Sequence, residues 1–273
     1  KFILKIHAKG KPLSKNLTWE KIAKRTVGFS GADLENMMNE AAIAVARESR
    51  KEIVMDDIEE ASMKVKYGPS KKRLHDDYER EMTAYHEAGH AVLAHVLPFS
   101  DPVHRISIVS RGHALGYTFT PPEKDRVQLL KSEILDDMVM MMGGRAAELL
   151  IYKEQTAGAS NDIERATRVA RSMVMEYGMS ELGPMNFTPQ YNSDYSKNWG
   201  EPLKISTNLQ DKVDVEVRKF IDEAQAKAMT LLKKYRKELD LVTKKLLEVE
   251  TLDGDTFTEV MKMPKAKKQL KKS

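Results

Sequence analysis

The stretch Met82-Thr83-Ala84-Tyr85-His86-Glu87-Ala88-Gly89-His90-Ala91-Val92 decides how this chain is read. Met82, Tyr85, Gly89, Val92 and Val96 recur at helical spacing, and the pattern runs from about Asp76 to Val96 before Pro98 stops it. On such a helix His86 and His90, four apart, project from one side with one turn between them. Two imidazoles so placed converge on a single ion, and Glu87 keeps a carboxylate beside that face without being a ligand. The spacing therefore predicts a helix-borne zinc site in which Glu87 takes a proton from an attacking water and hands it to a leaving amine. The plain alternative is two surface histidines. An apolar periodic helix argues against it, because a His pair facing a core needs a partner.

The chain has no cysteine, which excludes a disulfide framework, a thiolate metal site and a cysteine nucleophile and permits a reducing compartment. A metal must then rest on His, Asp or Glu, and three protein ligands are needed if the fourth position is to stay open. Downstream, Glu148, Asp162 and Glu164 are available. In the helical pattern after Ser160, Asp162 falls in the first turn on the side of Ala166, Val169 and Met173. Glu164 shares its side with Arg168 and Arg171 and reads as a solvent-side ion pair. The bland reading of Asp162 is a carboxylate that only stabilises a helix N-terminus. Glu148, on the pattern carrying Gly143-Gly144-Arg145, is a rival ligand or a group that orients a histidine, and spacing alone does not separate it from Asp162. His95, His104 and His113 lack paired spacing and read as ordinary surface or core residues, while Met138 to Met142 reads as gap-filling core.

Working outward, Thr18 to about Val65 predicts a small helical unit: Ser30 and Asp33 make a capping box, after which Leu34, Met37, Met38, Ala41 and Val45 recur. At Tyr67-Gly68-Pro69-Ser70-Lys71-Lys72-Arg73 the period gives way to link composition. Beyond the zinc helix, Val103 to Val109 and Ala114 to Thr120 predict a β-hairpin closed by Pro121-Pro122. Asp125 to Tyr152, Ser160 to Tyr177 and Asn208 to Val249 read as helices, and Gly183 to Pro202 as loop. The fold class expected is mainly α, with a helical subdomain (1–70), a mostly helical domain with a small hairpin near the metal (71–262), and a basic, disordered tail (263–273).

A net charge of +4 from 45 basic and 41 acidic residues is too balanced for a nucleic-acid surface. No run approaches the roughly 18 apolar residues of a membrane span. The start, Lys1-Phe2-Ile3-Leu4-Lys5-Ile6-His7, has neither an initiator Met nor a signal-peptide pattern, so the chain reads as a soluble piece of something longer.

Together these motifs resemble the FtsH-type, membrane-anchored ATP-dependent zinc metalloproteases, up to about Glu250. Gly28-Phe29-Ser30-Gly31-Ala32-Asp33-Leu34 with Asn39-Glu40-Ala41-Ala42 looks like the second-sensor helix of an AAA ATPase lid. Ala84 to Ala91 looks like the family's zinc helix. Ala114-Leu115-Gly116-Tyr117-Thr118, Gly143-Gly144-Arg145-Ala146-Ala147-Glu148 and Gly158-Ala159-Ser160-Asn161-Asp162 match later family blocks in order. The resemblance implies Asp162 as third zinc ligand, Glu148 as the group behind a histidine, and Gly31 and Ala32 as nucleotide-side contacts of the lid. It also implies a homo-hexameric ring that feeds unfolded or membrane-extracted proteins to the protease. An edge strand, Ile106 to Val109 or Ala114 to Thr118, would pair with the substrate backbone. The parent protein would sit in a bacterial inner membrane or organelle equivalent, with this part on the cytoplasmic or matrix/stromal side. ATP and Mg2+ are expected of the full-length parent only, since no Gly-x-x-x-x-Gly-Lys-Ser/Thr loop occurs here, and the family's membrane helices are missing as well. Two other readings compete. A ring-assembly module with a dead peptidase fold conflicts with the intact His86-Glu87-x-x-His90, and a free-standing zinc endopeptidase conflicts with the lid-like first seventy or so residues.

Overall fold

The computed structural model describes residues 1–70, 76–112, 114–122, 128–187 and 206–266, apart from the side chain of Lys24. Its N-terminal part is built from α1 (Phe2–His7), α2 (Trp19–Arg25), α3 (Gly31–Arg47) and α4 (Met55–Tyr67). The capping box at Ser30 sets the start of α3. The Ser30 hydroxyl accepts from the Asp33 N–H at 3.2 Å, and the Asp33 carboxylate accepts from the Ser30 N–H at 2.9 Å. The periodic residues Leu34, Met37, Met38, Ala41 and Val45 then face inward and share a core with Leu4, Ile22, Ile53 and Ile58. Asp57 caps α4 by accepting from the Val54 N–H at 2.8 Å, and Arg50 grips its two oxygens at 3.0 and 2.5 Å.

A second core forms around α5 (Asp77–Val96), whose start is capped by Asp76 accepting from the Tyr78 N–H at 2.8 Å. Around it stand α6 (Lys131–Met141), α7 (Gly143–Ile151), α8 (Ser160–Met175), α9 (Thr207–Lys234), α10 (Arg236–Val249) and α11 (Gly254–Met261). The helix expected from Asp125 to Tyr152 is thus two helices meeting at Met142, with residues 123–127 outside the described set. The long helical stretch ending at Val249 turns a corner at Tyr235, where φ is −104° and ψ is 33°. Apolar periodicity continues on both sides of each break, so the pattern shows the faces and hides the corners. Within Met138 to Met142, Met138, Met141 and Met142 are buried core.

The hairpin is present but shorter than its alternation suggested, with β1 (Arg105–Ser107) antiparallel to β2 (Tyr117–Phe119) and Ile106 opposite Thr118. A third strand, β3 (Thr251–Asp253), pairs antiparallel with the other side of β1, giving the order β2-β1-β3. Three residues between two helices carry too little alternation to be read as a strand. Tyr117 and Phe119 pack with Met63 and Tyr67 of α4, and the rings of Tyr67 and Tyr117 stack with centroids 5.2 Å apart. Arg111 donates to Glu60 at 2.6 Å and Arg105 to Glu59 at 3.3 Å on the same side.

Residues 263–266 dock on the end of α5. The Lys265 ammonium donates to the carbonyls of Ala94 (2.6 Å) and Leu97 (3.2 Å), and His95 donates through Nε2 to the Met263 carbonyl at 2.9 Å. A cation on the last free carbonyls of a helix is a favourable end cap. The rest of the basic tail, residues 188–202 of the expected loop, Lys71-Lys72-Arg73 of the link and His113 lie outside the described residues. Among the described residues no helix is long and apolar enough to cross a membrane.

Candidate metal centre

α5 runs close against α7 because it lacks a side chain where α7 crosses it. A Cβ on Gly89 would fall on the Gly143 carbonyl oxygen, and one on Gly143 would come within 2.9 Å of the Gly89 carbonyl carbon and oxygen. One turn along the contact, a Cβ on Gly144 would stand 2.3 Å from Cε1 and Nε2 of the His86 ring, a clash. Three glycines thus let two helix backbones touch and leave one imidazole the space it occupies.

Around that crossing the structure brings together His86, His90 and Asp162. The Nε2 atoms of the two histidines are 3.1 Å apart, and Asp162 Oδ2 lies 3.3 Å from each. The opposite ring nitrogens are spoken for. His86 Nδ1 is 2.7 Å from Glu148 Oε1, and His90 Nδ1 is 2.7 Å from the Met140 carbonyl oxygen. A carbonyl and a carboxylate only accept, so both Nδ1 atoms carry the proton and both neutral Nε2 atoms present lone pairs to the same point as Asp162. Lone pairs converging from two nitrogens and an oxygen ask for a cation.

The size of that triangle fits zinc. Ligand bonds of about 2.0–2.1 Å to nitrogen and oxygen in a tetrahedron give ligand-to-ligand edges of about 3.3–3.4 Å. Three edges of 3.1, 3.3 and 3.3 Å make one face of such a tetrahedron, with a fourth corner left for water or substrate. The electrostatics agree. Burial alone draws the His86 imidazole down, but the Asp162 and Glu148 carboxylates against it more than reverse this and push it up to about 10. Burial likewise raises Asp162, and the two histidines overcome that to hold it well below the usual carboxylate range. Both shifts have one cause, two imidazoles and two carboxylates crowded together so that positive charge is favoured on the histidines and negative charge on the carboxylates.

Glu148 is placed behind His86 and not in the triangle. It also accepts from the Thr156 N–H at 3.0 Å and the Thr156 hydroxyl at 3.1 Å, which ties α7 to the turn (Ala157–Ala159) that leads into α8 and Asp162. Burial raises Glu148, and the bonds from His86 and Thr156 bring it below its ordinary value. Glu164 points away, paired with Arg168 at 2.6 Å on the exposed side. Glu87 is 6% exposed, and burial raises its carboxyl despite the neighbouring histidines and a 2.7 Å bond from the Thr118 hydroxyl. A carboxyl raised by burial and set beside a candidate metal triad meets the condition for a general base. Gly31 and Ala32 stand exposed in the first turn of α3 and take no part in this centre.

The roles of Thr118, Thr156, Gly144 and the Met140 carbonyl at this centre are not legible in the sequence, although Thr118 and Gly144 stand in the blocks quoted above. The first two come from contacts across elements. Gly143-Gly144 inside an apolar helical pattern did carry a signal, since a helical glycine costs about 1 kcal/mol relative to alanine and usually has a packing reason.

A helix-borne His-Glu-x-x-His pattern with an aspartate from a later helix, on a mainly α scaffold, is the arrangement that the class of zinc metallopeptidases uses for its metal. Comparison with known proteins identifies the kind: the pattern of Peptidase family M41 matches residues 73–260, and that of the AAA+ lid domain matches residues 16–60. The chain is 45% identical to ATP-dependent zinc metalloprotease FtsH 1 of Thermoanaerobacter sp. (strain X514), over 94% of this chain and 43% of that protein. It is 46% identical to the ATP-dependent zinc metalloprotease FtsH of Thermotoga maritima (96% and 43%) and to FtsH 3 of Symbiobacterium thermophilum (95% and 42%). The chain belongs to Peptidase family M41, and it spans about two-fifths of the length of these relatives.

Proposed function

We propose that this chain is the proteolytic part, joined to the ATPase lid, of an ATP-dependent zinc protease acting on unfolded or membrane-extracted proteins. The observation that carries the reading is the tetrahedral face formed by His86 Nε2, His90 Nε2 and Asp162 Oδ2 next to buried Glu87. His86, His90 and Asp162 hold the ion. When bound, zinc supplies Lewis acidity toward the scissile carbonyl and toward water. Glu87 takes the proton of the attacking water and delivers it to the leaving amine, Glu148 keeps the His86 ring turned with Nε2 inward, and the Met140 carbonyl does the same for His90. Among the described residues β1 is paired on both sides, which removes Ile106 to Ser107 as the edge, whereas β2 is an outer strand, as β3 is, and its free side is the edge on which a substrate backbone would pair.

In this reading residues 1–70 form the lid unit, 71–262 the peptidase domain, and 263–273 the tail. The two separate apolar cores, one of the first four helices and one around α5, support that division. ATP with Mg2+, the membrane anchor and the inner-membrane or organelle location belong to the longer parent, where Gly31 and Ala32 face the nucleotide. The ring is a homo-hexamer, which light scattering reads as a mass of about six chains.

The test is cleavage of fluorescent unfolded casein by the zinc-loaded chain beside Glu87→Gln. Loss of cleavage in Glu87→Gln with zinc still bound is expected. Equal cleavage by the two proteins refutes Glu87 as the base, and no cleavage by either, with zinc bound, favours the ring-assembly reading.

A further inference from the structure

The pleat of β2 decides which of its side chains meets the zinc helix. Tyr117 and Phe119 are buried against α4, so by the two-residue period Thr118 turns the other way, onto α5. Its hydroxyl lies 2.7 Å from Glu87 Oε2 and 3.1 Å from the Glu87 carbonyl oxygen. A hydroxyl has one proton to donate, and the nearer, ionised oxygen is the stronger acceptor. On the other flank, a Cβ on Gly116 would stand 2.8 Å from Glu87 Cγ and Oε1, so the bare backbone at residue 116 borders that oxygen. Among the described residues no donor is bonded to Oε1.

We propose that Thr118 is the positioning residue of the general base: its hydroxyl anchors Glu87 Oε2, and the space beside Gly116 leaves Oε1 turned free toward the attacking water. This rests on the peptidase reading above. A carboxylate on a two-carbon stem has several rotamers, and only one oxygen can collect the proton at a time. Fixing the other removes rotation of the group from the reacting geometry, where misplacement of about 1 Å costs on the order of a hundredfold. Thr118 touches none of the three metal-facing atoms, so its effect on catalysis is separable from metal binding.

The experiment compares wild type, Thr118→Val, which keeps the shape and removes the hydroxyl, and Thr118→Ser, which keeps the hydroxyl. The zinc-loaded chain is assayed on fluorescent casein, with zinc affinity from chelator competition and melting followed in parallel. Expected for Thr118→Val is a kcat lower by about ten- to a hundredfold with KM and zinc affinity unchanged. Thr118→Ser should stay close to wild type. A second readout needs no turnover: in protein carrying 13C-labelled glutamate carboxyls, the Glu87 signal, assigned by its loss in Glu87→Gln, should move in Thr118→Val and stay put in Thr118→Ser. Wild-type kcat in Thr118→Val overturns the proposal. So does a loss shared equally by Val and Ser, a loss confined to KM, one that tracks zinc affinity or melting, or an unmoved carboxyl signal. If wild type itself cleaves nothing, the peptidase reading fails while the carboxyl signal still decides the Thr118 contact.

Discussion

Gly144→Ala puts one methyl group where the His86 ring now lies, and the structure says how the conflict resolves. The added Cβ would overlap Cε1, Nε2 and Cδ2 of the imidazole. Moving α7 away would pull Gly143 off Gly89 of α5 and open a void in close-packed backbone contact. The side chain must therefore yield, which breaks the 2.7 Å bond from Nδ1 to Glu148 and withdraws Nε2 from its place 3.1 Å from His90 Nε2. For the metal-free fold the effects oppose. Alanine in a helix gains about 1 kcal/mol over glycine, while overpacking costs about 1–3 kcal/mol and the lost bond to buried Glu148 about 1.5–3 kcal/mol, so net stability falls by roughly 1.5–5 kcal/mol. Metal binding suffers as well. Loss of an orienting partner alone weakens metal binding by about 10–100-fold, and here the ligand nitrogen itself is displaced, so zinc affinity should drop by at least about 100-fold. Competition against a chromophoric chelator measures this, with Gly31→Ala as control, since a Cβ there meets nothing within 4 Å. Zinc affinity in Gly144→Ala within about threefold of wild type would show that the His86 position described here is not the one that binds metal.

Two further perturbations separate the metal centre from the lid. Glu148→Gln faces donors on both oxygens, His86 Nδ1 and the Thr156 hydroxyl on one and the Thr156 N–H on the other, and an amide can accept only through its oxygen. Zinc affinity should fall by about 10–100-fold by chelator competition, and an unchanged value would remove Glu148 from its role behind His86. Among the first four helices, the bonds from Arg50 outweigh the push from burial and, with a lesser bond from the Val54 N–H, hold the Asp57 carboxyl below its ordinary value. A carboxyl depressed in the fold contributes stability that is present above the unfolded pKa of about 3.9 and is lost as pH falls through the lower folded value. Melting from pH 6 down to pH 2 should show that loss in wild type, and Asp57→Asn should start less stable at neutral pH and lack that share of the acid slope. Parallel slopes in the two proteins would contradict the Arg50 pairing.

Which parts were legible in the sequence follows from the range of the interaction that fixes each. His86 and His90 are set against one another by helical pitch, a rule acting over one turn, so the five residues from His86 to His90 suffice. Asp162 is a step harder: the period of α8 put it on the inward side, but only the packing of α8 near α5 turned that side toward the histidines, and spacing left Glu148 equally open. Thr118 is harder still. Its partner depends on which way β2 faces, and a strand of three residues pairs with either parity until Tyr117 and Phe119 have found Met63 and Tyr67. The same holds for β3, which exists because β1 offers an unpaired edge where the chain leaves α10, with Glu250 turning in the left-handed region at φ 60°. Local rules thus name the candidate histidines, whereas the third member of the triad and the residues that orient the rings are chosen by where separate elements come to rest. Gly143 and Gly144 lie between these cases. Their cost in a helix is written in the sequence, but what each makes room for, one a backbone and the other an imidazole, is decided by a helix more than fifty residues earlier.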